Sequence, residues 1–337
     1  MAAKITEKEN LLMTLRGEQP LWVPRAMKGP DPYASTPRAV TEIGPSFITK
    51  DRNPDGTGFD IFGVEFITNE TGPIHKPGNY KITDITKWRD VVKLPDLAGI
   101  DWEAMAKKDL ANVNRNDTAV FYNPMSGFFL YLMGLMGFNE GLVAMYTEPD
   151  EVKALLEYIC NFSTEMIRQS FHHYKPDGLY INDDTATALN PFISVEMYRE
   201  LIKPYTQRVA QFAIDEGLPV EMHCCGRCED FIEDWFDLGV CMWEPAQIVN
   251  DLVGIKKKYG NKLVISGGWD STGPAGWPDA TEEFVKGSVR ELIDTFATGG
   301  GYCLFASVYG PRDAEEVKNK KRWITEEYEA YREVPYK

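Results

Sequence analysis

A closed α/β barrel of the (β/α)8, or TIM, type is the fold that this sequence predicts. From about residue 118, short apolar runs alternate with long amphipathic runs at the spacing of strand-then-helix units. The polar residues capable of chemistry follow the apolar runs, and the carboxyl ends of barrel strands are where active sites are built. A doubly wound sheet also alternates strands with helices and is the alternative fold. It is disfavoured because no glycine-rich dinucleotide-binding loop follows any of the apolar runs.

The regular units cover residues 118–337. Strands are predicted at 119–123, 178–182, 219–223, 240–243, 263–267 and 302–305. Helices are predicted between them, near 148–174, 194–216, 227–238, 249–259 and 282–298. Six units fall short of eight, so one or two further strands are expected earlier in the chain.

Residues 1–117 are predicted to form an elaborated entry to the barrel within a single domain spanning 1–337. An amphipathic helix is expected at 5–15, after which closely spaced prolines prevent long regular elements. The alternation at 59–67 favours a strand or hairpin arm.

Composition limits the partners and the compartment. With 51 acidic against 36 basic residues, the chain has a formal net charge of −15, which disfavours nucleic acid and anionic membranes. The N-terminal residues lack the apolar core of a signal peptide, and we expect a cytoplasmic protein. Six cysteines are too few for a disulfide framework in 337 residues, and the grouping of Cys224, Cys225 and Cys228 favours metal or redox chemistry.

A candidate metal site follows the strand predicted at 219–223. Alternate residues of extended chain point to one side, so His223 and Cys225 share a side while Cys224 points elsewhere. Cys303 lies in the last predicted strand and can supply a third ligand at the barrel mouth. Two sulfurs and one nitrogen favour zinc, with a fourth, exchangeable position as in catalytic sites.

Other interpretations of these residues stay open. Cys228 would form a Cys-x-x-Cys pair with Cys225 and is an alternative third ligand. Cysteines also occur as small buried hydrophobes, and His223 could be a hydrogen-bonded core residue. Glu244 ends the neighbouring predicted strand and is either a fourth, displaceable ligand or a solvated loop acid.

Three further polar residues are candidate catalytic groups. Asp183 and Asp184 follow the strand predicted at 178–182, and one of them could accept a proton or hydrogen bond from a substrate. Capping of a helix N-terminus is the alternative for this pair. Asn123, at the end of the first regular strand, is predicted to help orient the substrate.

Aromatic and methionine side chains near the strand ends could bind a flat aromatic substrate. Tyr122, Met125 and Phe128 lie in one such segment, for which packing in the core is the alternative. Tyr180 and Trp269, from two other strand ends, complete the predicted substrate surface.

Several motifs stand in a definite order along the chain. They are Asn-Asp-Asp at 182–184, Pro-Phe-Ile-Ser at 191–194, Tyr-Arg-Glu-Leu-Ile-Lys-Pro at 198–204, His-Cys-Cys-Gly at 223–226 and Gly-Gly-Trp-Asp at 267–270. In this order they resemble the uroporphyrinogen decarboxylase superfamily, and the opening Lys-Glu-Asn-Leu-Leu at 8–12 is similar too. The resemblance spans nearly the whole chain and implies a (β/α)8 barrel.

Two branches of that superfamily differ in chemistry. The decarboxylases carry an arginine-rich N-terminal segment that grips substrate carboxylates, whereas residues 24–30 here read Pro-Arg-Ala-Met-Lys-Gly-Pro. The corrinoid-dependent methyltransferases carry His-x-Cys and a distant Cys as zinc ligands, a pattern that His223, Cys225 and Cys303 match. The chain therefore looks like a zinc-dependent methyltransferase whose partner is a separate corrinoid protein.

The methyl donor is expected to be an aryl methyl ether, as in bacterial O-demethylases. The aromatic segment after Asn123 and the acid pair at 183–184 suit a methoxylated aromatic whose methyl group passes to Co(I) of the corrinoid. Transfer from a methyl-corrinoid to a thiol is one alternative, and porphyrinogen decarboxylation is another. A non-catalytic metal-binding protein is the third.

Overall fold

The barrel is built from parallel strands that follow one another in the sheet as they do in the chain. The computed structural model describes residues 5–69, 72–311 and 313–337. Its strands are β1 (Val40–Ile43), β2 (Gly58–Phe59), β3 (Glu65–Thr68), β4 (Pro73–His75), β5 (Ala119–Tyr122), β6 (Gly178–Asn182), β7 (Val220–His223), β8 (Val240–Ala246), β9 (Val264–Gly267) and β10 (Tyr302–Cys303). β1 and β5 to β10 form the main sheet in the order β1-β5-β6-β7-β8-β9-β10.

An eighth segment joins the far side of β10. Arg25 pairs in parallel with Leu304, with hydrogen bonds from the Ala26 amide to the Leu304 carbonyl (3.1 Å) and from the Leu304 amide to the Pro24 carbonyl (2.8 Å). The segment at 23–26 therefore lies beside the last strand, and we call this contact the seam. The predicted (β/α)8 barrel is confirmed, and the strands hidden in the first hundred residues are this segment and β1.

Helices cover the outside of the sheet. They are α1 (Glu7–Leu15), α2 (Trp88–Val91), α3 (Trp102–Asp109), α4 (Phe128–Met136), α5 (Phe138–Thr147), α6 (Pro149–Tyr174), α7 (Val195–Leu201), α8 (Lys203–Asp215), α9 (Ile232–Asp237), α10 (Leu252–Tyr259), α11 (Glu282–Phe296) and α12 (Glu315–Tyr331). The helix predicted at 194–216 is two helices, because Pro204 opens α8 and cannot continue α7. The sequence did not predict α12, which packs on α11.

Helix α1 closes the amino end of the barrel. Thr6 and Glu9 form a capping box at its start, which satisfies two backbone amides of the first turn. Leu11 and Leu15 then pack against an apolar interior layer formed by inward residues of the strands, among them Phe121 and Cys303. The lower half of the barrel is therefore filled, and polar groups collect above this layer.

The residues predicted as a hairpin arm form a small separate sheet. β2, β3 and β4 are antiparallel neighbours in that order. No single helix in the described part of the chain is long and apolar enough to cross a membrane, although α4 and α5, bent by 112°, reach the length and composition together.

Candidate metal centre

Three neighbouring strands bring polar residues to the same level of the barrel. In the sheet register, Asn182 of β6 lies beside His223 of β7, and His223 lies beside Glu244 of β8. Residues paired in this way project to the same face of a sheet. The carboxyl ends of β6, β7 and β8 therefore hold the candidate site.

A group of three possible metal ligands forms there from Asp184, His223 and Cys225, whose ligand atoms all lie within 4.8 Å of one another. The Cys225 sulfur lies 3.7 Å from His223 Nε2, and Asp184 Oδ1 lies 3.8 Å from the same nitrogen. The Cys225 amide donates a 2.7 Å hydrogen bond to Asp184 Oδ1, which ties the two loops together. All three side chains are partly exposed, so a ligand can reach them from the mouth.

The turn after Cys225 requires glycine. Gly226 has φ of +88°, and a Cβ there would lie 2.5 Å from the Thr187 carbonyl oxygen. The Gly226 amide donates to Gln247 Oε1 at 2.7 Å. The His-Cys-Cys-Gly loop is thus held between the loops that follow β6 and β8.

The other ring nitrogen of His223 is held by Glu244. His223 Nδ1 lies 3.0 Å from Glu244 Oε2, and the carboxylate is almost completely buried. Burial alone would lower the pKa of His223, but the charges of Glu244 and Asp184 and the bond to Cys225 raise it well above the ordinary value. Burial would raise the pKa of Glu244, but His223 and Lys28 outweigh it and lower this pKa to about 2.

Lys28 lies at the centre of three glutamates. Its Nζ is 2.6 Å from Glu221 Oε1, 2.7 Å from Glu42 Oε1 and 2.8 Å from Glu244 Oε2. It also lies 3.7 Å from the centre of the Tyr180 ring. Burial would lower the pKa of Lys28, but the three carboxylates together raise it, so the ammonium stays charged.

Some polar groups in this layer have no hydrogen-bonding partner. Within the described residues they are Asn182 Oδ1 and Ser266 Oγ, whereas Glu221, buried at the same level, has its ion pair with Lys28. Burial, opposed by Lys28, raises the pKa of Glu221 to about 8. Sequence reasoning missed Lys28, Glu42 and Glu221, but Glu221 could have been found, because it lies two positions before His223 and on the same face of β7.

Cys303 lies away from the three-residue group. Its side chain is fully buried in the apolar interior layer, and the group formed by Asp184, His223 and Cys225 does not include it. Burial raises the pKa of the Cys303 thiol far above its ordinary value, with Glu221 and Cys241 adding to the effect. The structure thus brings two of the three predicted ligands together and places Asp184, not Cys303, beside them.

The remaining ligand candidates also lie outside the group. Glu244 contacts the Nδ1 side of His223, whereas Cys225 and Asp184 lie near Nε2. Cys228 is buried, and its thiol donates to the carbonyl oxygens of Cys224 and Gly226. Glu244 is therefore placed as a support for the histidine.

Asp183 caps a helix. Its two carboxylate oxygens accept hydrogen bonds from the amides of Phe129 (3.0 Å) and Leu130 (2.9 Å) in the first turn of α4. Burial raises the pKa of Asp183 to about 8, against the opposing effect of these two bonds. Asp183 thus has the helix-capping role that was the alternative to catalysis for the acid pair. Asn123 donates a long bond of 3.4 Å to Glu42 and so joins the network around Lys28.

Three of the predicted substrate residues pack in the core. Tyr122 lies between the sheet and α6, with its hydroxyl 2.5 Å from Ser170 Oγ. Phe128 packs on Tyr205, and Met125 is buried. For Tyr122 the reason is the strand alternation, because Phe121 points into the barrel and Tyr122 therefore points out toward the helices.

Two adjoining cavities lie at the carboxyl ends of β8 and β9, and Trp269 lines both. The first, of about 160 Å³, lies at the mouth and includes Phe305 and Tyr309 among its walls. The second, of about 430 Å³, extends outward toward Phe284 on α11. Burial and the charge of Cys225 raise the pKa of Tyr309, so this ring lies near the three candidate ligands. Tyr180 instead faces Lys28 inside the barrel.

Comparison with known families identifies the chain. The family model for uroporphyrinogen decarboxylase (URO-D) matches residues 63–307, which is more than half of the chain. The chain belongs to the uroporphyrinogen decarboxylase family. A solved structure described as a methyltransferase from Methanosarcina mazei covers 97% of this URO-D chain and 100% of its own, with a TM-score of 0.61 at 15% identity, which is a likeness of fold. A search of curated proteins finds no significant match.

Proposed function

We propose that the protein is a zinc-dependent methyltransferase that moves a methyl group from a methoxylated aromatic compound to the Co(I) centre of a corrinoid protein. The observation that carries this proposal is the group of Asp184, His223 and Cys225 at the carboxyl ends of barrel strands. The shared fold with a methyltransferase from Methanosarcina mazei supports the class of reaction.

The donor set fits zinc. It offers one nitrogen, one sulfur and one carboxylate oxygen, which are the three ligand types that zinc takes, and three protein ligands leave a position for an exchangeable group. Glu244 on Nδ1 fixes the ring so that Nε2 faces the group, as outer partners of metal-binding histidines do. Bound zinc would act as a Lewis acid on the ether oxygen and so stabilise the departing phenolate.

The first cavity suits the aromatic part of the substrate. Trp269, Phe305 and Tyr309 contribute its aromatic walls, although these are not the aromatic residues that the sequence predicted, apart from Trp269. In this arrangement the walls would hold the ring, with Tyr309 on the side nearer to Cys225. Co(I) of the corrinoid protein would supply the electron pair for the new bond to the methyl carbon while the carbon–oxygen bond breaks, and the released phenolate would take a proton from solvent.

Porphyrinogen decarboxylation is less well supported by the same residues. The cations of the N-terminal segment already have partners, since Arg25 pairs with Asp31 at 2.6 Å and Lys28 pairs with three glutamates. A site with this excess of carboxylates would repel the acidic side chains of a porphyrinogen.

The test is a single-turnover assay with the purified chain, reduced corrinoid protein and a panel of methoxyphenols. We expect methylated cobalt in the absorbance spectrum and an equal amount of the demethylated phenol by chromatography. Cys225→Ser should abolish both products, whereas Cys160→Ala, which removes a buried thiol from α6, should leave both unchanged. Absence of cobalt methylation across the panel would contradict the proposal. Thiol-dependent loss of the methyl group from methylcobalamin would show that the protein transfers methyl in the opposite direction, from the corrinoid to a thiol.

A further inference from the structure

The polar layer beneath the metal-binding group has a lysine at its centre whose role the proposed reaction does not explain. Lys28 Nζ lies within 2.8 Å of carboxylate oxygens on three different strands, from Glu42, Glu221 and Glu244. An ammonium group has three hydrogens and no acceptor, so its capacity matches three carboxylates. The lysine side chain is mostly buried, and this arrangement is therefore part of the barrel interior.

Lys28 and His223 both contact the same oxygen atom of Glu244. Glu244 Oε2 lies 2.8 Å from Lys28 Nζ and 3.0 Å from His223 Nδ1. The orientation of the Glu244 carboxylate consequently depends on both partners. A carboxylate held in this way keeps the histidine ring in one orientation, with Nε2 toward Cys225 and Asp184.

Removing the ammonium would leave the partly exposed Glu42 and the buried Glu221 and Glu244 without a shared cation. Like charges in a buried site repel one another strongly, and no other cation is within ion-pair distance of Glu42, Glu221 or Glu244 in the described residues except His223. Glu244 would then be free to rotate away from the ring. The Tyr180 ring, 3.7 Å from Nζ, stabilises the lysine in its place but cannot replace its charge.

We propose that Lys28 is a positioning residue that holds Glu244 against His223 Nδ1 and thereby presents Nε2 of His223 to the metal. The inference rests on the metal site of the proposed function. It predicts that Lys28 contributes to zinc affinity without touching the ion, and that it does so through Glu244.

The experiment is a double-mutant cycle on zinc affinity, measured with the full chain by competition against a chromophoric zinc chelator. We expect Lys28→Met to weaken zinc binding about 10- to 100-fold, the range found when an outer partner of a metal ligand is removed. Glu244→Gln should have a similar effect. The double variant should bind zinc no more weakly than Glu244→Gln alone, because the lysine has no second route to the ion.

Two further variants serve as controls. Lys258→Met changes an exposed lysine paired with Glu233 on the outer helices and should leave zinc affinity unchanged. If Lys28→Met does not fold, the variant Lys28→Met with Glu221→Gln removes one buried carboxylate together with the cation and is compared with Glu221→Gln alone.

The outcomes separate this inference from the proposed function. Wild-type zinc affinity in Lys28→Met, or losses that multiply in the double variant, would overturn the role of Lys28 and leave the metal site intact. A wild-type chain that binds no zinc at all would overturn the metal site, and the inference with it. Methyl transfer is not needed for any of these measurements.

Discussion

The identity of the third ligand can be decided by exchanging one atom at each of two residues. Asp184→Asn replaces a carboxylate oxygen by an amide group but leaves an oxygen to accept the 2.7 Å bond from the Cys225 amide, so the loop should keep its shape. Cys303→Ala removes one sulfur from the apolar interior layer. The first variant alters a proposed ligand, whereas the second alters packing below the site.

Asp184→Asn should change zinc affinity, whereas Cys303→Ala should change folding stability. Loss of a ligand should cost at least as much as the upper value for an outer partner, about 100-fold in zinc affinity or about 2.7 kcal/mol. Cys303→Ala should cost about 1 kcal/mol of folding stability, as for a small deletion in a packed core, with zinc affinity unchanged. Chelator competition gives the first quantity, and urea unfolding of the zinc-free chain gives the second.

A reversed result would refute this reasoning. If Cys303→Ala lost zinc while Asp184→Asn retained it, the thiol would be the third ligand, as the sequence predicted. The interior position of Cys303 would then have to change when metal binds. Retention of zinc by both variants would leave His223 and Cys225 as the only necessary ligands.

Three other predictions concern the surroundings of the site. Gly226→Ala should lower the free energy of unfolding by more than Gly260→Ala does. Both positions have positive φ, which costs alanine about 1 kcal/mol or more, but only at Gly226 would the added Cβ also lie within 2.7 Å of carbonyl oxygens. Equal losses in urea unfolding would show that the close contact is relieved at no cost. Asp183→Ala should lower stability by about 2 kcal/mol through the two lost amide bonds, with zinc content unchanged by elemental analysis; a loss of zinc would place this carboxylate in the site after all. Trp269→Ala should raise KM for a methoxyphenol about 10-fold with a smaller change in kcat, and an unaltered KM would mean that the substrate binds elsewhere.

The sequence predicted the architecture because the barrel repeats one pattern. Each of the six predicted strands has a counterpart in the structure, and β6 has the predicted bounds. Short apolar runs before amphipathic helices carry that information locally. The same alternation could also have assigned Tyr122 to the helix side of β5 from the inward position of Phe121.

The grouping of Asp184, His223 and Cys225 could be predicted only in part. His223 and Cys225 are close because they are two positions apart in extended chain, which is local information. Cys303 failed to join them because the depth of a residue inside a barrel depends on the stagger between strands, which one sequence does not display. Lys28 was missed for a related reason, since its partners lie on three separate strands.

Through the seam, the position of Lys28 in the site depends on both ends of the barrel sheet. The segment that leads into Lys28 has its strand hydrogen bonds with Leu304, beyond the last strand, while Glu244 and His223 belong to the middle of the sheet. The strand hydrogen bonds nearest to Lys28 thus come from a residue 276 positions later in the chain. The contact of Lys28 with Glu244, which supports His223, therefore depends on a segment that is itself paired with the end of the chain's last barrel strand.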